Sequence, residues 1–179
     1  MWSLGVIADE VPETAEAPLG GDFTLVSSRG PVSLQDFRGK VVMLFFGYTK
    51  CPDVCPTSLA YMSAALNELD EAKLRGVQPM FVSVDPQRDT PKQLEEYLDY
   101  FHPAYLGLTG TEEEIAEVSK LYGAKYYQVQ LEGSAFGYAV NHSAAVYLID
   151  QDGTLRFVFP HQTPSSVMLE AMRYLLAGN

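Results

Sequence analysis

Two cysteines stand four positions apart in Cys51-Pro52-Asp53-Val54-Cys55, and the 179-residue chain has no others. A lone pair is too small for a disulfide scaffold, and such closeness in a long chain usually marks redox or metal chemistry. A short-loop disulfide or two idle thiols is the plain alternative. A thioredoxin-type redox motif has two residues between its cysteines, whereas three intervene here, a spacing that still permits a disulfide. The same spacing lets both sulfurs lie on one side of a helical turn and reach a single metal ion. Two thiolates select soft Cu(I), and one added imidazole serves Cu(I) and Cu(II) alike. A closed zinc site would require a fourth protein ligand.

The chain offers three histidines as a third ligand. His102, in Phe101-His102-Pro103, follows a helix and reads as a solvated end residue. His161 lies in a turn after Phe159 and Pro160 and reads as surface. His142 follows glycine-containing loop sequence and precedes the apolar run Ala145-Val146-Tyr147-Leu148-Ile149. It reaches the cysteines only if that segment folds over them; otherwise it is an ordinary loop histidine.

The elements that must position these groups follow from periodicity. Val41 to Phe46 is a continuous apolar run, suited to a central strand buried on both faces. Beyond it, Leu59, Met62, Leu66 and Leu69 recur at helical spacing within residues 57–74, which puts the cysteines around a helix N-terminus. There the helix dipole and unpaired N–H groups favour thiolate. Residues 23–26 and 31–34 flank Ser28-Arg29-Gly30 as a β-hairpin. Residues 79–84 form the next strand, and Thr90-Pro91 caps a helix through about Phe101. Thr111 to Glu114 is a capping box for a helix to Tyr122. Residues 124–130 are extended, 144–149 and 155–159 form a second hairpin around Gln151-Asp152-Gly153, and a last helix runs from about Thr163 to Ala177. The chain shows no internal repeat. The element order is that of an α/β, thioredoxin-like single domain of the expanded, peroxiredoxin-like kind.

Composition narrows the function further. Asp and Glu number 23 against 12 Lys and Arg, giving −11. That balance argues against a nucleic-acid surface, which needs clustered cations. No stretch reaches the 18 or so consecutive apolar residues that span a bilayer, and Met1 to Val6 lacks the basic flank of a signal peptide. Residues 1–21 carry no apolar periodicity and are expected to be a flexible linker or the remnant of an anchor, ahead of a domain at 22–179.

Four segments carry a resemblance. Phe46-Gly47-Tyr48-Thr49-Lys50-Cys51-Pro52-Asp53-Val54-Cys55-Pro56 resembles the copper-site segment of the Sco/SenC family. Ser83 to Pro91 is similar to that family's second block, and Gly107-Leu108-Thr109-Gly110 and Val140 to Asp150 to its later ones. The resemblance runs in order from about Gly21 to the C-terminus. It implies a thioredoxin-like fold with an N-terminal hairpin and an inserted loop bearing the histidine. One copper ion, Cu(I) or Cu(II), would then be held by Cys51, Cys55 and His142. It implies a monomeric protein that assists assembly of the CuA centre of cytochrome c oxidase. It would act as a copper-donating metallochaperone, a binding protein rather than an enzyme, as a thiol reductant of the subunit bearing that centre, or as both. The CuA-bearing subunit would be its partner, with another periplasmic copper chaperone as a further one. The place of action implied is the periplasmic side of a bacterial inner membrane, with tethering by an N-terminal anchor.

Asp85 matches an acidic position of the second block, and reads equally as a carboxylate behind the metal ligands or as a loop residue ending a strand. Asn141 departs from the family, which commonly has Asp there; losing that charge should weaken Cu(II) selectively. Lys50 would lower the Cys51 pKa, or point to water, and the Asp53 carboxylate would push the other way. Two further chemistries stay open. A thiol–disulfide oxidoreductase would use Cys51 and Cys55 as its redox pair, although Val140-Asn141-His142-Ser143 lacks the proline that thioredoxins place before the facing strand. A peroxidase related to peroxiredoxins would have Arg88 as its one evident helper.

Overall fold

The computed structural model describes residues 20–135 and 137–178. Most of the expected lead-in, residues 1–19, lies outside them. Packing begins one or two residues earlier than expected: Gly20 is buried and donates its N–H to the Leu121 carbonyl at 2.9 Å, and the Gly21 carbonyl accepts from the Tyr122 hydroxyl.

β1 (Thr24–Ser27) and β2 (Gly30–Ser33) form the first hairpin, followed by a 3₁₀ turn at Leu34–Phe37. Then come β3 (Val41–Gly47), α1 (Val54–Asn67), α2 (Glu71–Arg75), β4 (Val77–Ser83), α3 (Pro91–Asp99), β5 (Leu106–Leu108) and α4 (Glu112–Leu121). The chain continues through β6 (Tyr126–Gln130), β7 (Tyr138–His142), β8 (Val146–Ile149), β9 (Leu155–Phe159) and α5 (Ser165–Leu176). Five strands make the main sheet in the order β5-β4-β3-β8-β9. β3, β4 and β5 are parallel, β8 runs antiparallel to β3, and β9, antiparallel to β8, returns to the direction of the other three.

β3 sits at the centre with every residue buried, as its unbroken apolar run requires. Leu59, Met62 and Leu66 of α1 and Met168, Met172 and Leu175 of α5 join it in one core, where α1 and α5 pack on each other. Pro79 is tolerated inside β4 because β5 pairs only with Met80 to Val82, so at Pro79 the strand has β3 alone as a neighbour. The apolar stripe expected over residues 57–74 divides: α1 ends at Asn67, and Asp70 caps the separate α2 by accepting from the Lys73 N–H.

The principal departure concerns the histidine segment. His142 is the last residue of β7, which pairs with β6 in a two-stranded hairpin separate from the main sheet, and not part of an irregular loop. Because successive residues of a strand face opposite ways, Tyr138, Val140 and His142 share one face and Ala139 and Asn141 the other.

Candidate metal centre

Cys55 belongs to the first turn of α1, and Cys51 to the loop that leads into it from β3. Asp53 is the N-cap residue but its carboxylate makes no cap bond; instead, the Cys51 sulfur accepts the Cys55 N–H at 3.4 Å. One orphan amide of the helix is thus satisfied by a thiol, where the positive end of the dipole favours thiolate. Cys55 is fully buried, and Cys51 is half-buried. Gly47 makes room for the pair, since a Cβ there would stand 2.9 Å from the Cys55 sulfur and 2.8 Å from the Phe81 ring. Both cysteines are free.

A buried carboxylate anchors the cysteine loop. Asp89, 1% exposed, accepts from the Thr49 N–H at 3.0 Å, the Thr49 hydroxyl at 2.5 Å and the Ser83 hydroxyl at 2.7 Å. The Val84 N–H also donates to the Gly47 carbonyl, tying the ends of β3 and β4 together. Asp89 lies inside the second sequence block, but nothing in periodicity distinguishes it from Asp85.

His142 completes the cluster. Its Nε2 lies 3.1 Å from the Cys55 sulfur, and its Nδ1 is 3.0 Å from the Ser143 carbonyl. A carbonyl only accepts, so Nδ1 carries a proton, and Nε2 is the ring nitrogen that faces the sulfurs. Phe45 and Tyr48 pack edge-on against the imidazole, at centroid distances of 6.0 and 5.8 Å. The donor atoms of Cys51, Cys55 and His142 all lie within 4.8 Å of one another. A metal with bonds of roughly 2.0–2.3 Å to nitrogen and sulfur spans at most about 4.6 Å between donors, so the three atoms need only small adjustments to share an ion. No fourth Cys, His, Asp or Glu joins them among the described residues, which leaves a closed zinc site incomplete.

The two thiols differ sharply in acidity. The Cys51 pKa is lowered to about 3, chiefly by the Cys55 side chain; burial opposes this, and His142 and the Cys55 and Asp53 amides assist. Cys55 is pushed far up, by burial first and then by its sulfur neighbour. One proton is therefore shared by the pair and sits on the buried sulfur. Lys50 is exposed, and the Asp53 N–H favours the thiolate, opposite to the effect expected of its carboxylate.

Other candidates fall elsewhere. Asp85 is fully buried but outside the cluster: it is ion-paired to Arg88 at 2.5 Å and accepts from the Tyr138 hydroxyl at 2.7 Å. Arg88 is likewise engaged, its guanidinium 3.7 Å from the centre of the Tyr138 ring. The Asn141 side chain is exposed on the outward face of β7 and donates to the Tyr127 hydroxyl at 3.0 Å, so any effect on a bound ion acts over a distance. His102 corrects the expectation of a solvated residue: it is 8% exposed and its Nδ1 accepts the Ala104 N–H. His161 is half-buried, with Nδ1 3.1 Å from the Ser58 hydroxyl.

The family model for SCO1/SenC matches residues 11–177. The chain belongs to the SCO1/SenC family. Among SCO relatives, a mitochondrial SCO2 homolog of Bos taurus is 40% identical over 160 residues, 88% of this chain and 60% of that one. An SCO2-like protein of Rickettsia conorii is 38% identical over 152 residues, 84% of this chain and 74% of the relative. Among solved Sco structures, that of Arabidopsis thaliana ScoI with copper bound superposes with a TM-score of 0.82 at 34% identity, covering 90% of this chain and 99% of that one. Bradyrhizobium japonicum ScoI with copper bound gives 0.79 at 36%, covering 88% and 99%. BsSco, described as having a disulfide switch and as a member of the Sco family of cytochrome c oxidase assembly proteins, gives 0.70 at 25%, covering 92% and 96%. The thioredoxin-like fold of the Sco proteins is the fold of this chain.

Proposed function

We propose that this chain is a copper metallochaperone, holding one ion through Cys51, Cys55 and His142 and passing it on during assembly of the CuA centre of cytochrome c oxidase. The observation that carries this is the convergence of two sulfurs and the His142 Nε2 within 4.8 Å, from a loop, a helix and a separate hairpin. Thiolates suit Cu(I), and the imidazole adds the ligand that Cu(II) requires. The partner in this reading is the CuA-bearing subunit, with a second copper chaperone as the source of the ion. The site of action in this reading is the periplasmic face of a bacterial inner membrane. Among the described residues no helix is long and apolar enough to cross a membrane.

The test is anaerobic Cu(I) titration of the reduced protein against a competing chelator, beside Cys51→Ser, Cys55→Ser and His142→Ala. One tightly held copper per chain, lost in both cysteine variants and weakened in the histidine variant, is the expected result. Absence of tight copper in the parent would overturn the reading.

A second activity is favoured by the unequal thiols. The Cys51 thiolate would attack a partner disulfide and form a mixed disulfide; Cys55, giving up its proton, would then displace the partner's thiolate. The products are a Cys51–Cys55 disulfide and a reduced partner. Failure of the reduced protein to reduce a CuA-subunit disulfide over hours would eliminate this activity.

A further inference from the structure

The hairpin that carries His142 shares no strand pairing with the main sheet among the described residues, so its position depends on side-chain attachments. Those on its inward face converge on the β4–α3 connection. The Tyr138 hydroxyl donates to Asp85 Oδ1 at 2.7 Å, and Arg88 Nη1 donates to the Tyr138 carbonyl at 3.0 Å. Arg88 Nε binds Asp85 Oδ2, and its guanidinium Cζ lies over Tyr138, 3.7 Å from the ring centre. One residue of the strand is thereby gripped by its hydroxyl, its ring and its carbonyl. Two positions on, the Val140 N–H donates to the Tyr48 hydroxyl at 3.3 Å, and two further on comes His142.

We propose that Tyr138, held by Asp85 and Arg88, is a positioning residue that keeps the His142 imidazole over the thiols and so sets the preference of the site for Cu(II) over Cu(I). The inference rests on the copper reading above. Asp85 buried beside Arg88 would be a stability liability unless the pair were well coordinated, and the Tyr138 hydroxyl supplies a further bond to the carboxylate. That hydroxyl stays protonated, its pKa pushed up to about 12 by burial and then by Asp85, so it remains a donor. Release of this grip lets the hairpin swing, and the fraction of molecules with the imidazole in place falls. Apparent affinity for an ion that needs the imidazole falls by the same fraction. Cu(I), held chiefly by two thiolates, is weakened far less.

Tyr138→Phe removes one oxygen and leaves the ring under Arg88, which makes it the probe variant; Arg88→Lys keeps the charge but loses the fork. Cu(II) affinity should fall about tenfold in Tyr138→Phe, the scale of one hydrogen bond to a charged group. Cu(I) affinity against the chelator should stay within about twofold. The midpoint potential of the bound copper should accordingly rise by about 59 mV, the one-electron equivalent of a tenfold change. Arg88→Lys should move these quantities in the same direction. In the metal-free protein, amide exchange in β6 and β7 should quicken in both variants while β3 and β4 stay protected.

A merely structural role predicts something different, namely equal weakening of both ions with a lowered Tm, and that result would overturn the proposal. So would unchanged Cu(II) affinity, or unchanged hairpin exchange in the metal-free protein. A parent that binds no copper refutes the metallochaperone reading and the ion preference together, whereas the exchange measurement alone decides whether the grip positions the hairpin.

Discussion

Cys55 and His142, 87 positions apart in sequence, meet at 3.1 Å between sulfur and Nε2. The contact joins a residue sealed beneath the first turn of α1 to the last residue of a hairpin outside the main sheet. Its consequence for metal binding is asymmetric. The two sulfurs come from one continuous loop-and-helix segment, and the nitrogen arrives separately. Removing the imidazole by His142→Ala should therefore leave Cu(I) bound while Cu(II) affinity and the sulfur-to-Cu(II) charge-transfer absorption are mostly lost. Equal Cu(II) spectra for variant and parent would show that His142 is not a ligand.

The unequal thiols give a pH signature. With the Cys51 pKa near 3, the reduced metal-free protein should show one thiolate per chain by ultraviolet absorption from neutral pH down to about pH 4, and none in Cys51→Ser. The folded-state pKa is below the ordinary thiol value, so the thiolate contributes stability that is complete above that value and is lost as pH falls toward about 3. The parent's advantage over Cys51→Ser in denaturant midpoint should grow with pH across that window. A constant difference would contradict the assignment.

Proton release on metal binding follows from the same pair. At pH 7 Cys51 has already lost its proton and Cys55 retains its own. Cu(I) binding should release about one proton per chain, measured by calorimetry in buffers of different ionisation enthalpy, whereas two ordinary thiols would release nearly two.

Asp89 is predicted to govern the cysteine loop without touching the ion. Asp89→Ala removes the acceptor of the half-buried Thr49 N–H and hydroxyl and of the fully buried Ser83 hydroxyl. Urea unfolding should show a loss of about 2–4 kcal/mol, in keeping with removal of a buried hydrogen-bonded charge. Copper affinity should fall for both oxidation states, because Cys51 follows the loosened residue by two positions. A variant as stable as the parent would remove Asp89 from this role.

Gly47→Ala probes the space under Cys55. The new methyl group meets the sulfur at 2.9 Å and the Phe81 ring at 2.8 Å, and both are fully buried. Overpacking of this kind costs about 1–3 kcal/mol and should displace Cys55, weakening Cu(I) as well as Cu(II). Retention of full Cu(I) affinity would show that the helix start yields without moving the sulfur.

Much of this architecture was legible from residue patterns because local rules and the global fold agree. The unbroken apolar run from Val41 to Phe46 became the buried centre of the sheet, and Thr90-Pro91 and Thr111 to Glu114 became capped helix starts. Cys51 and Cys55 were readable from spacing as a candidate redox or metal-binding pair. His142 was not: residues 124–130 were legible as extended, but the pairing of Tyr126 with His142 is a non-local contact that periodicity does not encode. The divided stripe over residues 57–74 was missed because Leu69, although buried, follows the end of α1 at Asn67. His102 was misread because burial after a helix end depends on the neighbouring chain, here the Ala104 amide. Asp89 and Asp85 looked alike in sequence, and only their partners separate a loop anchor from a grip on the hairpin.

The three donors differ in exposure as well as in chemistry. Cys55 is sealed at 0% exposed, while Cys51 and His142 each keep a face toward solvent in a cleft lined also by Tyr48, Pro52 and Val140. An acceptor's thiolate can meet the ion from that open side alone. In the copper-transfer reading proposed above the exchange would be directional: the outer bonds would be replaced first, and the inner sulfur would let go last. A captured intermediate of the handover would accordingly hold copper between Cys55 and the acceptor, with the hairpin already swung clear.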